Sequence, residues 1–482
     1  MDIKELNPQI KTIYSLITGK NAYTVTRLPL AGSNRLYFRI EGEAGNLIAT
    51  YNEDKDENRA FLYLAAHLLK AGVPVPEIRY SDIDNNIYFQ EDLGDTCLFD
   101  LATDAELSDE EKFYAFKKVI DKMPAFQYEA AKELDFSICY PRKAFDKQSI
   151  QWDLNYFKYL FLKLSQVPFS EQKLEDEFNK LTDFALEAPA DFFLFRDFKS
   201  KNIMWKEDNP VFIDFQGGRK GALQYDLASL LFESKANLSA KLRDKLLNYY
   251  TEVFSEYSFF NKDQFLKYYP VYVLIRLLQV FGAYGYRGLY EKKAYFIHSI
   301  VPGIENLLWV KQQNIIQKEF PYICDIIEQL DNIKAKYRFE ETGNDLTVTI
   351  TSFSYRNGIP EDLSGNGGGF VFDCRLLHNP GRYEEYKLFT GIDKEIYDFF
   401  SKDQEVTDFL SRVQHIVGQA VKKYQSRKFS HLSVSLGCTG GRHRSVYTAT
   451  KIFEYLRLNF NVNLRLKHRE LNLEERYDKI DV

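Results

Sequence analysis

Within the stretch FLFRDFKSKNIMWKEDNPVFIDFQ, three residues, Asp197, Asn202 and Asp214, have the types and spacing that phosphoryl transfer asks for. That chemistry needs little covalent help from a protein. It needs a carboxylate to orient the attacking hydroxyl and accept its proton, and hard oxygen ligands for a Mg²⁺ ion that bridges phosphates. Asp197 suits the first task, Asn202 with Asp214 the second. An isolated Asp more often caps a turn or ends a strand; the run R-D-x-x-x-x-N, followed by an apolar segment ending in D-F-Q, favours the catalytic reading. Asn202 stands just before an apolar triplet and Asp214 closes VFID, so a short hairpin would present both ligands to one cation.

A second stretch, HLSVSLGCTGGRHRSVYTATKIFEYL, reads as strand, tight turn and helix. The turn and helix start carry Gly437, Cys438, Thr439, Gly440, Gly441, Arg442, His443, Arg444 and Ser445. Glycines let backbone N–H groups approach an oxyanion at a helix N-terminus, and guanidinium groups add bidentate contacts, so this loop is a cradle for a phosphate or a sugar phosphate. A plain glycine turn before a solvated basic helix start is the other reading. The same string spells C-x-x-x-x-x-R-S from Cys438 to Ser445, the layout in which a thiolate attacks phosphorus; a buried, inert cysteine is the commoner fate of such a residue.

These groups need elements to hold them. Residues 22–95 alternate strand-like runs (YFRI, NLIATY) with one amphipathic helix, ENRAFLYLAAHLLKAG, stopped by Gly72. After Leu93 the pattern is helical, with aromatic-rich periodic segments around 109–133, 150–165, 171–187, 237–258 and 262–297. The fold class expected is a bilobal α+β domain followed by a smaller α/β domain. Its boundaries are 1–325 for the first domain (small lobe about 1–95, helical lobe about 96–325), 326–345 for a linker, and 346–482 for the second domain, where strands such as FVFDCR and HLSVSL alternate with helices.

The 482 residues carry 63 Lys+Arg against 69 Asp+Glu, a formal net charge of −6, which argues against coating nucleic acid or membranes through bulk positive charge. Five scattered cysteines without C-x-x-C spacing suggest neither a disulfide framework nor a zinc site. The opening MDIKELNPQI lacks a signal-peptide pattern, and the most apolar run, VYVLIRLLQVFGAYG, is short and contains Arg276. A cytoplasmic protein without a membrane partner is expected.

The strings AGSNRLYFRI, AGVPVPEI, QEDLGD, RDFKSKNIM and VFIDFQ resemble the aminoglycoside phosphotransferase/choline kinase family, which shares the protein-kinase-like fold, and within it the AmgK-type anomeric MurNAc/GlcNAc kinases. The resemblance covers roughly residues 20–310. It implies ATP and Mg²⁺ as cofactors and a small-molecule sugar as substrate. It also implies that Gly32, Ser33, Asn34 and Arg35 form a turn over the ATP phosphates, and that Glu91, Asp92 and Leu93 lie near the adenine at the hinge between lobes. Asp226, in QYDLASL, resembles a recurring family carboxylate, although a helix N-terminal Asp is an adequate reading. There are two departures. Phe195 stands where the family usually has His, and NLIATYN offers no lysine where kinases pair one with the phosphates and with a helix carboxylate such as Glu57. Lys55, Arg35 and Arg39 are the nearby cations that could compensate.

The strings SFSYRNGIP, FVFDCRLLHNP, TGIDKEIYDFF and GCTGGRHRSV resemble the C-terminal domain of the RNase adapter protein RapZ over about 350–470. That resemblance implies an amino-sugar-phosphate sensor using the 437–445 loop, with Asp373, Arg375 and His378 as further lining. It also implies RNA as a partner. However, residues 336–482 hold 22 Lys+Arg and 20 Asp+Glu, leaving only the local cluster Arg465, Lys467, His468 and Arg469 to meet phosphates. The expectation is a hexose or N-acetyl amino sugar kinase of cell-wall recycling, tethered to a sugar-phosphate sensor. The alternatives are a non-catalytic adapter for amino-sugar phosphate or small RNA, and a kinase joined to a Cys438-dependent phosphatase.

Overall fold

The structure, a computed structural model, describes residues 3–29, 35–338, 345–360, 362 and 369–479. The chain divides into two compact units, Met1–Tyr286 with Ser299–Lys334, and Arg287–His298 with Ala335–Val482. Gly32, Ser33 and Asn34 lie outside the described residues.

The first unit opens with a helix, Ile3–Thr18, and a five-stranded antiparallel sheet. Its strands are β1 (Ala22–Arg27), β2 (Leu36–Gly42), β3 (Leu47–Tyr51), β4 (Ile78–Asp82) and β5 (Ile87–Glu91), in the order β1-β2-β3-β5-β4. The intervening helix Lys55–Lys70 starts where the Asp54 side chain accepts the N–H groups of Asp56 and Glu57 at 3.1 and 3.0 Å, and ends just before Gly72 in the left-handed region. Ala60, Phe61, Leu64, Ala65 and Leu68, spaced for one face, are buried.

A helical lobe follows. Helix Lys147–Phe157 packs on the long helix Lys262–Ala283, which in turn packs on Gln224–Leu231 and Ile300–Lys311. Short strands β6 (Phe192–Leu194), β7 (Ile203–Lys206), β8 (Asn209–Phe212) and β9 (Arg219–Gly221) form two small antiparallel pairs, β6 with β9 and β7 with β8. This small sheet lobe followed by a helical lobe is the bilobal α+β arrangement. Helix Pro321–Ile333 closes the unit with Ile323, Cys324, Ile326, Ile327 and Leu330 buried. The expected linker 326–345 is therefore corrected at its start. The apolar spacing of ICDIIEQL makes residues 326–333 a packed helical face rather than a connector. A single turn, Lys334–Tyr337, follows.

The second unit is an α/β domain. Strands β10 (Thr347–Ser354), β11 (Phe370–Asp373), β12 (His431–Cys438), β13 (Asn463–His468) and β14 (Leu473–Tyr477) are ordered β11-β12-β10-β13-β14, parallel except for β14. Helices Lys394–Phe400, Gln404–Ser426 and Arg444–Asn459 contribute to a core of Val348, Ile350, Val434, Leu436, Ile396, Phe400, Val413, Val417, Ile452 and Phe453. Side-by-side β10 and β12 end at Ser354 and Cys438. The loops after them form a crevice at the carboxyl ends of parallel strands, where open α/β sheets bind ligands.

Candidate active site and anion-binding loop

The β7–β8 hairpin does what its sequence suggests. Ile203 pairs with Phe212, and Ile213 N–H donates to the Asn202 carbonyl at 3.0 Å, which sets Asn202 and Asp214 side by side. Asn202 Nδ2 donates both to the Asp197 carbonyl (2.9 Å) and to Asp214 Oδ2 (3.0 Å), so all three expected residues meet. Asp214 sits at φ +67°, in the left-handed region, which turns its carboxylate out of the strand direction.

Further residues complete the loop, among them Lys199, Arg276 and Glu233, which the sequence did not single out as site residues. Lys199 Nζ donates to Asp197 Oδ2 at 2.8 Å, and Arg276, 79 positions away on helix Lys262–Ala283, donates to Oδ1 at 3.0 Å. Burial alone would raise the Asp197 pKa; the charges of Lys199 and Arg276 outweigh it and hold this carboxyl well below the usual carboxylate range. Arg196, at φ +81°, makes a two-pronged ion pair with Asp153 (2.7 and 2.7 Å) and also donates to Tyr225 Oη (2.9 Å). Fully buried Asp226 accepts the Phe195 and Arg196 N–H groups at 2.8 and 3.0 Å, and Glu233 accepts the Ser200 N–H at 2.8 Å. Asp226 is thus an anchor under the loop rather than only a helix-start residue. Phe195, in the place of the family's His, is fully buried against Phe126, Phe198, Phe212 and Phe215, so an aromatic cluster takes over the scaffold role.

The donor set suits Mg²⁺. Asp214 offers a carboxylate, and Asn202, whose amide N–H bonds go to the protein, offers a carboxamide oxygen. Beside them Gln216 donates to Asp214 Oδ1 at 2.8 Å while its own Oε1 is buried without a partner. Two hard oxygen donors, with water and phosphate completing the shell, match this cation's preference. Among the described residues no group of three or more His, Cys, Asp or Glu side chains could hold a metal.

In the sheet lobe, Glu91 closes β5 and takes an ion pair from Lys206. Asp92 is held by Arg39 at 2.8 Å, with Asp95 taking another Arg39 nitrogen at 2.8 Å, so Asp92 and Arg39 neutralise each other and brace the segment that ends at Leu93. Lys55 lies 3.8 Å from Asp84 at an exposed site. Buried Arg35 turns to Glu57, at 3.2 Å.

In the second unit, Arg356, Asn379, Gly381, Cys438, Thr439, Gly440, Arg442, His443 and Arg444 line a cavity of about 210 Å³. Arg356 and Asn379 arrive from the loops after β10 and β11, a contribution that sequence reasoning missed because neither lies near the glycine run. Asp373, Arg375 and His378, expected as further lining, are not among these residues. Arg375 pairs with Asp373 at 2.6 Å and lies over the Tyr355 ring, and His378 bonds Tyr383 Oη at 3.0 Å. These local partners satisfy all three.

Gly437 is also not a turn residue. It is paired in β12, and a Cβ there would lie 2.4 Å from the Phe353 ring. Gly441, at φ +68°, does make the turn, and a Cβ would lie 2.3 Å from Glu470 Cγ. We expect Gly441→Ala to destabilise this unit by about 1–3 kcal/mol, read by urea unfolding. Gly440→Ala, with nothing within 4 Å, should change little.

Cys438 Sγ lies 3.1 Å from Ser445 Oγ and accepts the Gly441 N–H at 3.2 Å. The arginine that a thiolate nucleophile would use on phosphate, Arg444, donates instead to the carbonyls of Arg375 and Leu377 at 3.0 and 3.2 Å. Burial lowers the pKa of His443, which lines the cavity. The basic cluster near the C-terminus is largely offset. Lys467 faces Glu474 across β13–β14, Arg469 pairs with Glu470 at 2.9 Å, and burial pushes the His468 pKa down to about 4. Among the described residues no helix is long and apolar enough to cross a membrane.

Residues 24–260 match the family model of the phosphotransferase enzyme family, and residues 346–472 that of the RapZ C-terminal domain. A nucleotide-binding protein of Staphylococcus epidermidis is 34% identical over 140 residues, 29% of this chain and 45% of that protein. One of Thermotoga neapolitana is 38% identical over 143 residues, 30% and 48% of the two chains. The chain thus spans about half the length of these curated relatives. Among solved structures, a choline kinase of Cryptosporidium parvum is similar with a TM-score of 0.44 and 13% identity, covering 63% of this chain and 93% of that one. An aminoglycoside phosphotransferase in complex with streptomycin and ATP has a TM-score of 0.44 and 14% identity, covering 66% and 99%.

Proposed function

We propose that this chain, in which residues 24–260 match the model of the phosphotransferase enzyme family and residues 346–472 that of the RapZ C-terminal domain, is a cytoplasmic, ATP- and Mg²⁺-dependent kinase of cell-wall sugar recycling. Its acceptor is a hexose or N-acetyl amino sugar, and its C-terminal unit senses a sugar phosphate. The observation that carries the reading is the meeting of Asp197, Asn202 and Asp214 through hydrogen bonds of 2.9 and 3.0 Å. In this reading Asp197 orients the acceptor hydroxyl, Asn202 and Asp214 hold Mg²⁺ on the phosphates, and residues 32–35 and 91–93 frame the nucleotide.

The surroundings of Asp197 support the anomeric position. A carboxylate flanked by Lys199 at 2.8 Å and Arg276 at 3.0 Å is a weak base. A hemiacetal hydroxyl is more acidic than an ordinary alcohol, because the ring oxygen withdraws electrons, and asks less of its base. The test is ADP release with Mg²⁺-ATP and GlcNAc, MurNAc, glucose and glucosamine, each beside its methyl glycoside. We expect turnover on one free sugar and none on its glycoside. Turnover on the glycoside would place the transfer at another hydroxyl, and silence on every sugar would favour an adapter that binds without chemistry.

For the C-terminal unit, the support is a polar cavity with two exposed guanidinium groups, Arg356 and Arg442, beside a helix start. We expect Arg442→Gln and Arg356→Gln each to weaken glucosamine-6-phosphate binding by about ten-fold in calorimetry. Unchanged affinity in both would move the ligand elsewhere.

A further inference from the structure

Kinases of this architecture hold the ATP phosphates with a lysine from the third strand of the small lobe, kept in place by a helix glutamate. Here β3 reads LIATY and supplies no cation, yet the helix glutamate remains: Glu57, in the first turn of Lys55–Lys70. Its partner has moved one strand over. Arg35 directly precedes β2, whose Leu36 pairs with Tyr51 of β3, so Arg35 lies across from the end of the strand that would carry the lysine.

Arg35 is 2% exposed. Its Nε donates to Glu57 Oε2 at 3.3 Å, and Asn52, just past β3, steadies the same oxygen from 2.7 Å. Arg35 Nη2 lies 3.2 Å from that oxygen in an ion pair but makes no hydrogen bond, and Tyr37 also interacts with the guanidinium. The group also sits over the Phe61 ring at 5.5 Å; Phe61 in turn stacks at 4.8 Å on Phe215, the residue after Asp214. Tyr37, two positions along β2 from Arg35, feels the charges of Arg35, Asp214 and Glu57 together, which puts this face of the sheet toward the metal-binding carboxylate. Of the other two cations that could serve, Arg39 is paired with Asp92 and Asp95, and Lys55 is solvent-exposed, 3.8 Å from an equally exposed Asp84.

We propose that Arg35 replaces the missing strand lysine as the positioning cation for the ATP phosphates, with Glu57 and Asn52 as its holders. This rests on the kinase reading above. Nη2, which meets Glu57 by charge and makes no hydrogen bond, is the nitrogen that would take a phosphate oxygen, and a guanidinium can hold Glu57 and a phosphate at once because its donors form a rigid fork. A lysine here would lack both the fork and the reach.

The test is calorimetric titration of the full chain with Mg²⁺-ATP and, separately, with adenosine, which has no phosphates. Arg35→Met is expected to weaken Mg²⁺-ATP by about 10- to 100-fold and leave adenosine affinity unchanged. Arg35→Lys should recover only part of the loss, and Glu57→Gln should weaken ATP selectively but less. If Arg35→Met does not fold, the Lys and Gln variants carry the same comparison. Wild-type-like ATP affinity in these variants, or equal losses for ATP and adenosine, would overturn the proposal while leaving the kinase reading intact. A wild-type chain that binds neither compound would overturn both.

Discussion

Asp197→Asn is expected to lower sugar phosphorylation by about 1,000-fold while Mg²⁺-ATP still binds. The carboxylate that orients the hydroxyl contributes roughly 10²–10⁴ in such reactions. The Asn202–Asp214 pair is left untouched, because Asn202 reaches the Asp197 backbone carbonyl rather than its side chain. A carboxamide also cannot balance Lys199 and Arg276, both of which now rest on Asp197. The variant should therefore lose turnover without a matching loss of nucleotide affinity. Single-turnover kinetics beside ATP titration separates the two, and a variant that turns over within about ten-fold of wild type would remove Asp197 from the mechanism.

Asp226→Ala is expected to cost stability and activity together. Its carboxylate is fully buried and accepts the two N–H groups that lead directly into Asp197, one of them from Arg196 at φ +81°. Removing it strands two buried donors, each worth about 1–3 kcal/mol, and releases a backbone conformation that itself costs about 1–3 kcal/mol to hold. We expect a loss of about 2–5 kcal/mol in urea unfolding and turnover at least ten-fold down. Full activity in a stably folded Asp226→Ala would show that the loop holds its shape without this anchor.

The same residue predicts a pH dependence. Burial pushes the Asp226 pKa up to about 7 despite its two N–H partners. An unfolded Asp titrates near 4, so between about pH 4 and about pH 7 the folded state binds more protons. The contribution of this group is therefore full below about pH 4 and is lost as the pH rises through about 7. The stability of wild type relative to Asp226→Asn, which cannot titrate there, should fall as the pH is raised from about 5 to about 7.5. A constant difference would mean that the loop amides keep Asp226 ionised throughout.

Periodicity and spacing made much of this molecule legible. Strand-like runs located β2, β3 and β12, Gly72 marked the end of helix Lys55–Lys70, and a short hairpin was enough to bring Asn202 to Asp214. These are local matters, since strand pairing across a tight turn and helix capping act within a few residues. Within the glycine run, sequence could mark the turn but not separate Gly441, needed for φ +68°, from Gly437, kept small by the Phe353 ring of a neighbouring strand.

The amino-acid sequence by itself therefore determined the two kinds of domain and the order of the candidate catalytic residues. Only the tertiary structure decided which charges face one another. Arg276 lies in an apolar helix 79 positions from Asp197, Asp153 is 43 positions from Arg196, and Arg356 reaches the glycine loop from the next strand. Nothing in their flanking residues distinguishes them from solvated or merely buried side chains. A charge acquires such a role when packing withdraws it from water beside an opposite charge, and that neighbour is set by the fold rather than by spacing along the chain.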